Sequence, residues 1–182
     1  TLKVDLFPED VFVFTPKGAI KVFPTGATPV DFAYAVHSDI GDACAGAKVN
    51  GKIVPLRHVL RNGDVVEIIT ATSHAPSKDW LKFVVTSKAR AKIKQWIKNE
   101  ERGECMSLGR EMCEKELKKY DVDFSKLVKF GELERIAKHE FGLAGADQLI
   151  LNIGYGKISV HQFVSKAVPQ EKLDRKKRPE TS

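Results

Sequence analysis

The stretch TPVDFAYAVHSDIG, residues 28–41, decides how the first half of the chain folds, because it opens with a complete start signal for a helix. Thr28 is a favoured N-cap residue, and Pro29 has the fixed φ angle that suits the first helical position. Asp31 stands at the third helical position, from which its carboxylate can accept the free amide of the cap. A helix is therefore expected to begin directly after Thr28.

The rest of this stretch continues the helix and indicates where it ends. Its apolar residues recur at helical spacing on one face, at Phe32, Ala33, Val36 and Ile40. Gly41 is placed to end the helix in a left-handed conformation, which glycine adopts without the steric penalty of a Cβ atom. We therefore expect one helix over residues 28–41, with its apolar face packed on a sheet.

Short apolar runs that alternate with turn signals lie on both sides of the predicted helix. These runs cover residues 11–15, 20–23, 47–49, 53–54 and 65–70. Pro16-Lys17-Gly18, Asn50-Gly51 and Asn62-Gly63 supply the turns, and their glycines are expected to serve the turns and not to bind phosphate. The order ββαβββ predicts a β-grasp, ubiquitin-like domain over residues 8–72.

The second half of the chain changes to helical periodicity. Residues 73–86 begin with small polar residues and a proline, so we predict a linker there. Predicted helices follow at residues 87–98, 104–120, 130–141, 145–151 and 159–166. They predict an all-α domain over residues 87–166, and hence an α+β fold class for the chain. Residues 167–182 lack apolar periodicity and are predicted to be a disordered linker or tail.

The composition indicates a globular protein and gives no support to an enzyme. Of the 182 residues, 42% are apolar and 30% are charged, and no run approaches the length of about eighteen apolar residues that a membrane span needs. With no signal peptide pattern either, we expect a cytoplasmic protein without membrane contact. Three cysteines without CxxC spacing indicate neither a disulfide nor a zinc site. No nucleophile, metal or phosphate-loop motif occurs, so we expect no catalytic residue, no metal and no cofactor.

The net charge of +6 is concentrated in two segments. Residues 73–102 carry eight basic and three acidic side chains, and residues 166–182 carry six and three. Within the first segment, Lys88, Arg90, Lys92 and Lys94 lie on the helix predicted from Ser87, where they are candidates to contact a polyanion. A solvated helix face and a flexible basic tail would give the same pattern, so the charges alone leave both interpretations open.

His37 is a candidate binding residue because it falls in the last turn of the helix predicted for residues 28–41, next to Ser38. A histidine at a helix C-terminus is favoured by the helix dipole alone, which requires no ligand. An imidazole exposed at this junction could instead stack on an unpaired nucleotide or form a hydrogen bond with it. The sequence pattern does not decide between these two interpretations.

Several of these strings closely resemble a known family. Residues 13–18, 28–41 and 62–70 are similar to the TGS domain of RelA/SpoT proteins. TGS domains also occur in other protein families, but residues 79–81 and 85–93 resemble the start of the RelA/SpoT helical domain. The resemblance therefore covers about residues 8–166.

The resemblance implies a parent protein that makes and degrades guanosine tetra- and pentaphosphate. In this family an N-terminal hydrolase and a synthetase are controlled by C-terminal regulatory domains. The His-Asp pair of the hydrolase and the signatures of the synthetase do not occur in the sequence. The resemblance thus implies a non-catalytic regulatory fragment of the stringent-response enzyme, with intramolecular contacts to hydrolase and synthetase domains that are absent here.

The resemblance also implies partners. In family members on the ribosome, the TGS domain holds the CCA end of deacylated tRNA in the A site, and the helix-end histidine that contacts it matches His37. We therefore expect deacylated tRNA and ribosomal RNA as partners. The residues expected to contact nucleic acid are His37, Ser38, Lys88, Arg90, Lys92 and Lys94. A different partner stays open, since TGS domains of some SpoT-like relatives have been linked to acyl carrier protein, a small acidic protein of lipid synthesis.

Overall fold

The computed structural model describes residues 9–177, which fall into two compact units. The first unit ends at Asn99 and the second begins at Glu100. Strands occur only in the first unit of the described chain, and the second is helical. The predicted α+β fold, a β-grasp unit followed by helices, is confirmed.

Five strands and two short helices build the first unit as far as residue 70. The strands are β1 (Asp10–Phe14), β2 (Ile20–Pro24), β3 (Cys44–Val49), β4 (Lys52–Val54) and β5 (Val66–Thr70). Between β2 and β3 lie the helices α1 (Pro29–Val36) and α2 (Ser38–Asp42). The predicted order of strands and helix is thus present, with one helix divided into two.

The strands pair as a hairpin and a three-stranded sheet. β1 and β2 are antiparallel, and β3 lies between β4 and β5 with antiparallel pairing on both sides. A parallel bridge between Phe14 and Val65 joins the two parts, and the Phe14 amide donates to the Asp64 carbonyl at 2.8 Å. This parallel contact brings the first and last strands together, as a β-grasp fold requires. The predicted turn glycines Gly18, Gly51 and Gly63 all have positive φ angles.

Helix α1 lies between two apolar clusters of the first unit. On one side Phe32 packs with sheet residues, including Val13, Phe23 and Val66. On the other side α1 packs against residues that follow the sheet. This second cluster contains Val30, Ala33, Tyr34, Cys44, Trp80, Val84, Ala89 and Ile93. Because α1 is covered on both sides, nearly all of its side chains are buried.

The predicted linker over residues 73–86 differs from the structure. A 3₁₀ helix covers Lys78–Lys82, and both Trp80 and Val84 are buried in the second cluster. The next helix, α3 (Ser87–Lys118), contributes Ala89 and Ile93 to the same cluster. The small polar residues and the proline at the start of this segment indicated a linker, whereas the burial of Trp80 and Val84 depends on contacts with the distant helix α1.

Two details of the predicted helix over residues 28–41 also differ. The helix is interrupted at His37, which has extended φ and ψ angles of −166° and 146°. Gly41 lies inside α2 and is not left-handed, so it does not end the helix in the predicted way. A Cβ atom at Gly41 would overlap the buried Tyr34 ring, so the glycine provides space for that ring and not a turn.

The second unit is a bundle of helices around one apolar core. It contains residues 100–118 of α3, followed by α4 (Phe124–Lys129), α5 (Glu132–Phe141), α6 (Ala146–Gly154), α7 (Val160–Ala167) and α8 (Gln170–Lys177). The break predicted between residues 98 and 104 is absent, because Gly103 continues α3 at a cost of about 1 kcal/mol that packing can offset. Helix α4 was not predicted.

The predicted disordered tail over residues 167–182 also differs from the structure. Ala167 ends α7, Val168 is buried, and residues 170–177 form α8. Leu173 of α8 packs against the core of the second unit. Two apolar residues are too few to produce a periodic pattern, although they suffice to attach a short helix to an existing core. Residues 178–182 of the predicted tail, like residue 8 of the predicted β-grasp domain, lie outside the described residues.

No helix of residues 9–177 is long and apolar enough to cross a membrane. All three cysteines are free. Burial raises the pKa of the Cys44 thiol to about 11 and that of the Cys113 thiol to about 12, while Cys105 is half-buried. Cys44 and Cys113 are therefore structural thiols with little thiolate at neutral pH.

Helices α3 and α6 approach closely at two glycines. A Cβ atom at Gly109 would overlap the Ile150 carbonyl, and one at Gly154 would overlap the Cys105 carbonyl. Neither neighbour is the end of a flexible side chain, so a larger residue could enter only if a backbone moved. The two glycines therefore set the distance between these helices.

We expect Gly109→Ala to destabilise the chain by about 2 kcal/mol, because the methyl group forces α3 and α6 apart. The matched control is Gly103→Ala, six residues earlier in the same helix, where a Cβ atom meets nothing within 4 Å. Alanine there should stabilise the chain by about 0.5–1 kcal/mol. Urea unfolding followed by circular dichroism measures both. Equal effects of the two substitutions would contradict the close approach.

Candidate nucleic-acid interface

His37 lies at the junction of two helices, where its backbone serves both. Its amide donates to the Ala33 carbonyl at 3.2 Å and completes the last turn of α1. Its carbonyl accepts the Gly41 amide at 3.1 Å, and its side-chain Nδ1 accepts the Asp39 amide at 3.0 Å. His37 is thus the C-cap of α1 and the N-cap of α2.

This cap bond fixes which nitrogen of the ring is free. Because Nδ1 accepts an N–H group, the hydrogen-bond geometry assigns the proton of the neutral imidazole to Nε2. The side chain is 64% exposed, and the neighbouring Asp39 side chain is 90% exposed. The junction therefore presents an oriented aromatic ring whose Nε2–H group can donate to a ligand. Ser38, the other residue predicted here, is the half-buried first residue of α2.

Tyr34 anchors α2 to α1 beneath this junction. Its ring is fully buried, and its hydroxyl donates to Asp42 Oδ1 at 2.9 Å. Burial, with a smaller contribution from Asp42, raises the pKa of Tyr34 far above its ordinary value. The phenol therefore remains neutral and keeps its proton for this hydrogen bond. With Gly41 against the ring, α2 has little freedom to move relative to α1.

Asp31 fixes the opposite end of α1 to the segment that precedes α3. Its carboxylate is 1% exposed and accepts the Thr28 amide at 2.9 Å, which confirms the predicted capping interaction. It also accepts the Val85 amide at 3.1 Å, the Thr86 amide at 2.9 Å and the Thr86 hydroxyl at 2.8 Å. The start of α3 is thereby held against the start of α1.

The four basic residues predicted to contact nucleic acid lie in the first two turns of α3. Lys88, Arg90 and Lys94 are exposed, and Lys92 is half-buried. Lys88 and Lys92 form one pair at i,i+4 spacing, and Arg90 and Lys94 form another, with the two pairs about 200° apart around the helix axis. The structure therefore brings these residues together as two basic flanks, and not as one stripe.

The buried residues Ala89 and Ile93 lie between the two flanks on the helix surface. Within the Arg90–Lys94 flank, the Arg90 guanidinium donates to the Val84 carbonyl at 3.1 Å, which limits its freedom. The His37 junction and α3 belong to one packed region, since Ile40 of α2 and Ile97 of α3 border the same apolar cluster.

Sequence reasoning found the cap role of Asp31 but missed its role in positioning α3. The Thr28–Asp31 pair has a local signature at fixed spacing. The bonds to Val85 and Thr86 span 54 and 55 positions, and no local pattern predicts them. The one available signal for this role was that Asp31 is hydrophilic at a helix position that otherwise faces the core.

Both units match models of known protein families. Residues 11–70 match the model of the TGS domain, and residues 96–168 match the model of the RelA/SpoT AH domain. The chain comprises a TGS domain and a RelA/SpoT AH domain. No metal-binding group of three or more His, Cys, Asp or Glu side chains occurs among the residues that the structure describes.

Similar curated proteins contain this TGS–AH pair within longer chains. A GTP pyrophosphokinase of Myxococcus xanthus is 52% identical over 174 residues, which are 96% of this chain and 23% of the relative. The bifunctional (p)ppGpp synthase/hydrolase SpoT of Escherichia coli is 47% identical over 86% of this chain and 22% of its own length. The bifunctional (p)ppGpp synthase/hydrolase RelA of Mycobacterium tuberculosis is 40% identical over 93% of this chain and 23% of its own length. The chain therefore spans less than a quarter of these relatives and corresponds to their TGS–AH regulatory region.

We expect Asp31→Asn to destabilise the TGS domain by about 3 kcal/mol, because the amide nitrogen would face donors where an oxygen accepted them. The matched control is Asp39→Asn, at a side chain that is 90% exposed, which should change stability by less than about 0.5 kcal/mol. Thermal unfolding measures the loss of stability. Amide proton exchange at Val85 and Thr86 measures whether their hydrogen bonds to residue 31 are lost. Unchanged protection of these two amides in Asp31→Asn would refute the positioning role.

Proposed function

We propose that this TGS–AH chain senses the unacylated CCA end of tRNA in the ribosomal A site, and relays its presence to alarmone synthetase and hydrolase domains in the bacterial cytoplasm. The observation that carries the proposal is the His37 ring, oriented by the Asp39 amide and largely exposed. The relatives support the setting, because their names describe (p)ppGpp synthesis and hydrolysis.

His37 has the chemistry that a single-stranded RNA end requires. Unpaired bases at RNA ends can stack on aromatic rings and offer hydrogen-bond acceptors at their edges and phosphates. An imidazole with Nδ1 already bonded can stack through its face and donate through Nε2–H. Because the cap bond fixes the ring before binding, less rotational entropy is lost when RNA binds.

Discrimination against charged tRNA would follow from the rigidity of the same junction. An aminoacyl group on the terminal ribose adds both volume and a cationic amine next to the bound base. The α1–α2 junction has little room to adapt, because Tyr34 is buried and Gly41 lies against its ring. We therefore expect exclusion of the aminoacyl group to contribute as much to selectivity as attraction to the free end.

The two basic flanks of α3 would supply affinity and no sequence preference. Phosphate contacts by lysine and arginine release counterions and strengthen binding to any RNA backbone. Since the flanks point to different sides of α3, one flank can face tRNA while the other faces ribosomal RNA.

An acidic acyl carrier protein is the rival partner. It would be attracted by the same basic flanks, but it offers no unpaired base for the His37 ring. The exposed, oriented ring favours RNA over a partner held by charge alone. The two partners therefore differ in their dependence on His37.

We expect His37→Asn to weaken binding of deacylated tRNA about tenfold, because asparagine keeps a cap acceptor and loses the aromatic ring. His37→Phe keeps a ring and loses the cap acceptor, so it should retain more affinity. His74→Asn removes another exposed histidine of the same unit and should have no effect. The measurement is binding to programmed ribosomes with deacylated or aminoacylated tRNA at one salt concentration.

Equal binding with charged and uncharged tRNA would contradict the sensor function. If the chain also bound acyl carrier protein with an affinity unchanged in His37→Asn, the chain would be a protein-interaction module instead. Circular dichroism of each variant confirms that α1 and α2 still form.

Replacing one basic flank should change the salt dependence of tRNA binding. For Lys88→Gln with Lys92→Gln, or Arg90→Gln with Lys94→Gln, each lost phosphate contact should reduce the slope of log affinity against log salt by about 1. We expect replacement of the pair that faces tRNA to reduce the slope by about 2, equally for charged and uncharged tRNA. If the slope were unchanged in both double variants, α3 would not be part of the RNA interface.

A further inference from the structure

The second unit contains an open basic pocket between the end of α3 and α8. The pocket has a volume of about 270 Å³ and is lined by Lys119, Tyr120, Asp121, Lys172, Arg175 and Lys176. Four of these six side chains are cationic, and one is a carboxylate. The pocket lies in the second unit and shares no residue with the His37 junction or the basic flanks of α3.

Helix α8 separates its charges so that the basic ones lie together. Lys172, Arg175 and Lys176 stand at i, i+3 and i+4, and therefore on one face of the helix. Leu173, beside this face, packs on the core of the unit and fixes the rotation of α8. Asp174 lies away from the basic face and accepts a hydrogen bond from Gln170 Nε2 at 3.0 Å. Asp174 is thus directed away from the pocket, and Glu171, the other acidic residue of α8, does not line it.

Two of the pocket cations are held by neutral groups. Lys172 Nζ donates to the Asp121 carbonyl at 3.0 Å, and Lys176 Nζ lies 4.7 Å from the centroid of the Tyr120 ring. Both contacts orient an ammonium group and leave its charge uncompensated. An anion that entered the pocket would therefore meet cations that are already positioned.

Nearby carboxylates neutralise only part of this charge. Lys119 Nζ is paired with Glu116 Oε2 at 2.9 Å, and Asp121 lines the pocket. The hydrogen bond from Lys119, together with the charges of His161 and Lys176, holds the pKa of Glu116 below its ordinary value. His161 Nδ1 lies 3.8 Å from Glu116 Oε1, so another basic group borders the same region. Cations outnumber carboxylates around the pocket.

We propose that this basic pocket binds a pyrophosphate group, either free or carried by a nucleotide. A group with two adjacent phosphates offers several negative charges in a small volume. This suits a pocket with four cations, of which one, Lys119, is already paired with Glu116. The cations converge on one pocket of about 270 Å³ and do not follow a line, so they suit a compact anion better than an RNA backbone. The open side of the pocket leaves space for a nucleoside in solvent.

The test is calorimetric titration of the whole chain with inorganic pyrophosphate, GDP and orthophosphate at constant ionic strength. We expect saturable binding of one pyrophosphate, at least about tenfold tighter than orthophosphate, because the second phosphate reaches further cations. GDP that binds as tightly as pyrophosphate identifies a nucleotide as the source, and pyrophosphate without GDP binding identifies the free anion. Equal affinity for pyrophosphate and orthophosphate would overturn the proposal.

Two triple variants separate a specific site from general charge. Lys172→Gln, Arg175→Gln and Lys176→Gln together should weaken pyrophosphate binding at least about tenfold. Lys115→Gln, Lys129→Gln and Lys157→Gln remove the same charge from exposed positions of the same domain, and should change affinity less than about twofold. The same loss in both variants would mean that only net charge matters, and would overturn the proposal.

A further measurement uses the unmodified chain, so its result does not depend on correct folding of α8 in the first variant. Amide resonances of residues 119–121 and 170–177 should shift on addition of pyrophosphate. Shifts confined to other residues would place the anion elsewhere and refute the pocket. Binding of a short RNA duplex that depends on the α8 lysines, without saturable binding of pyrophosphate, would assign this face to RNA. The His37→Asn variant should bind pyrophosphate normally, so failure of the tRNA proposal is distinguishable from failure of this one.

Discussion

The buried carboxylate of Asp31 is the interaction on which the arrangement of the TGS domain depends. Five donor groups on Thr28, Val85 and Thr86 surround its two oxygens, with no cation among them. A carboxylate at 1% exposure is costly unless its oxygens accept several hydrogen bonds, so the segments that carry these donors must stay in place. One side chain thereby fixes the start of α1 and the approach to α3 at the same time.

The two ends of α1 serve different purposes because of this constraint. At its N-terminus Asp31 is inaccessible and purely structural, while at its C-terminus His37 combines a structural cap with an exposed ring. α1 has only eight residues and is covered on both sides by apolar clusters. It therefore acts as a rigid connection between the two ends, and the His37 ring takes its position from the same packing that holds Trp80 and Ile93.

Local signals in the sequence were sufficient for the strands, the turns and the start of α1, because each depends on residues a few positions apart. They were insufficient wherever distant residues decide the structure. The break at His37 depends on a side-chain cap and on the Tyr34 ring, whose bulk only a glycine at position 41 allows. Trp80, Val84 and Leu173 become buried because a core already exists for them to cover. The family resemblance, and not periodicity, singled out His37 as a candidate binding residue, and no local spacing pattern could have placed α3 beside Asp31.

The distribution of positive charge shows why a charge count alone cannot identify a partner. The two segments with excess positive charge look similar in the sequence, but the fold arranges their side chains differently. On α3 the buried residues Ala89 and Ile93 divide the basic side chains into two flanks, which suits an extended partner that can be contacted from two sides. On α8 the single apolar contact of Leu173 leaves the basic side chains together on one face, beside Tyr120 and the Asp121 carbonyl. Burial of neighbouring residues therefore decides whether the cations of one helix converge or diverge, and hence which shape of partner each helix would suit.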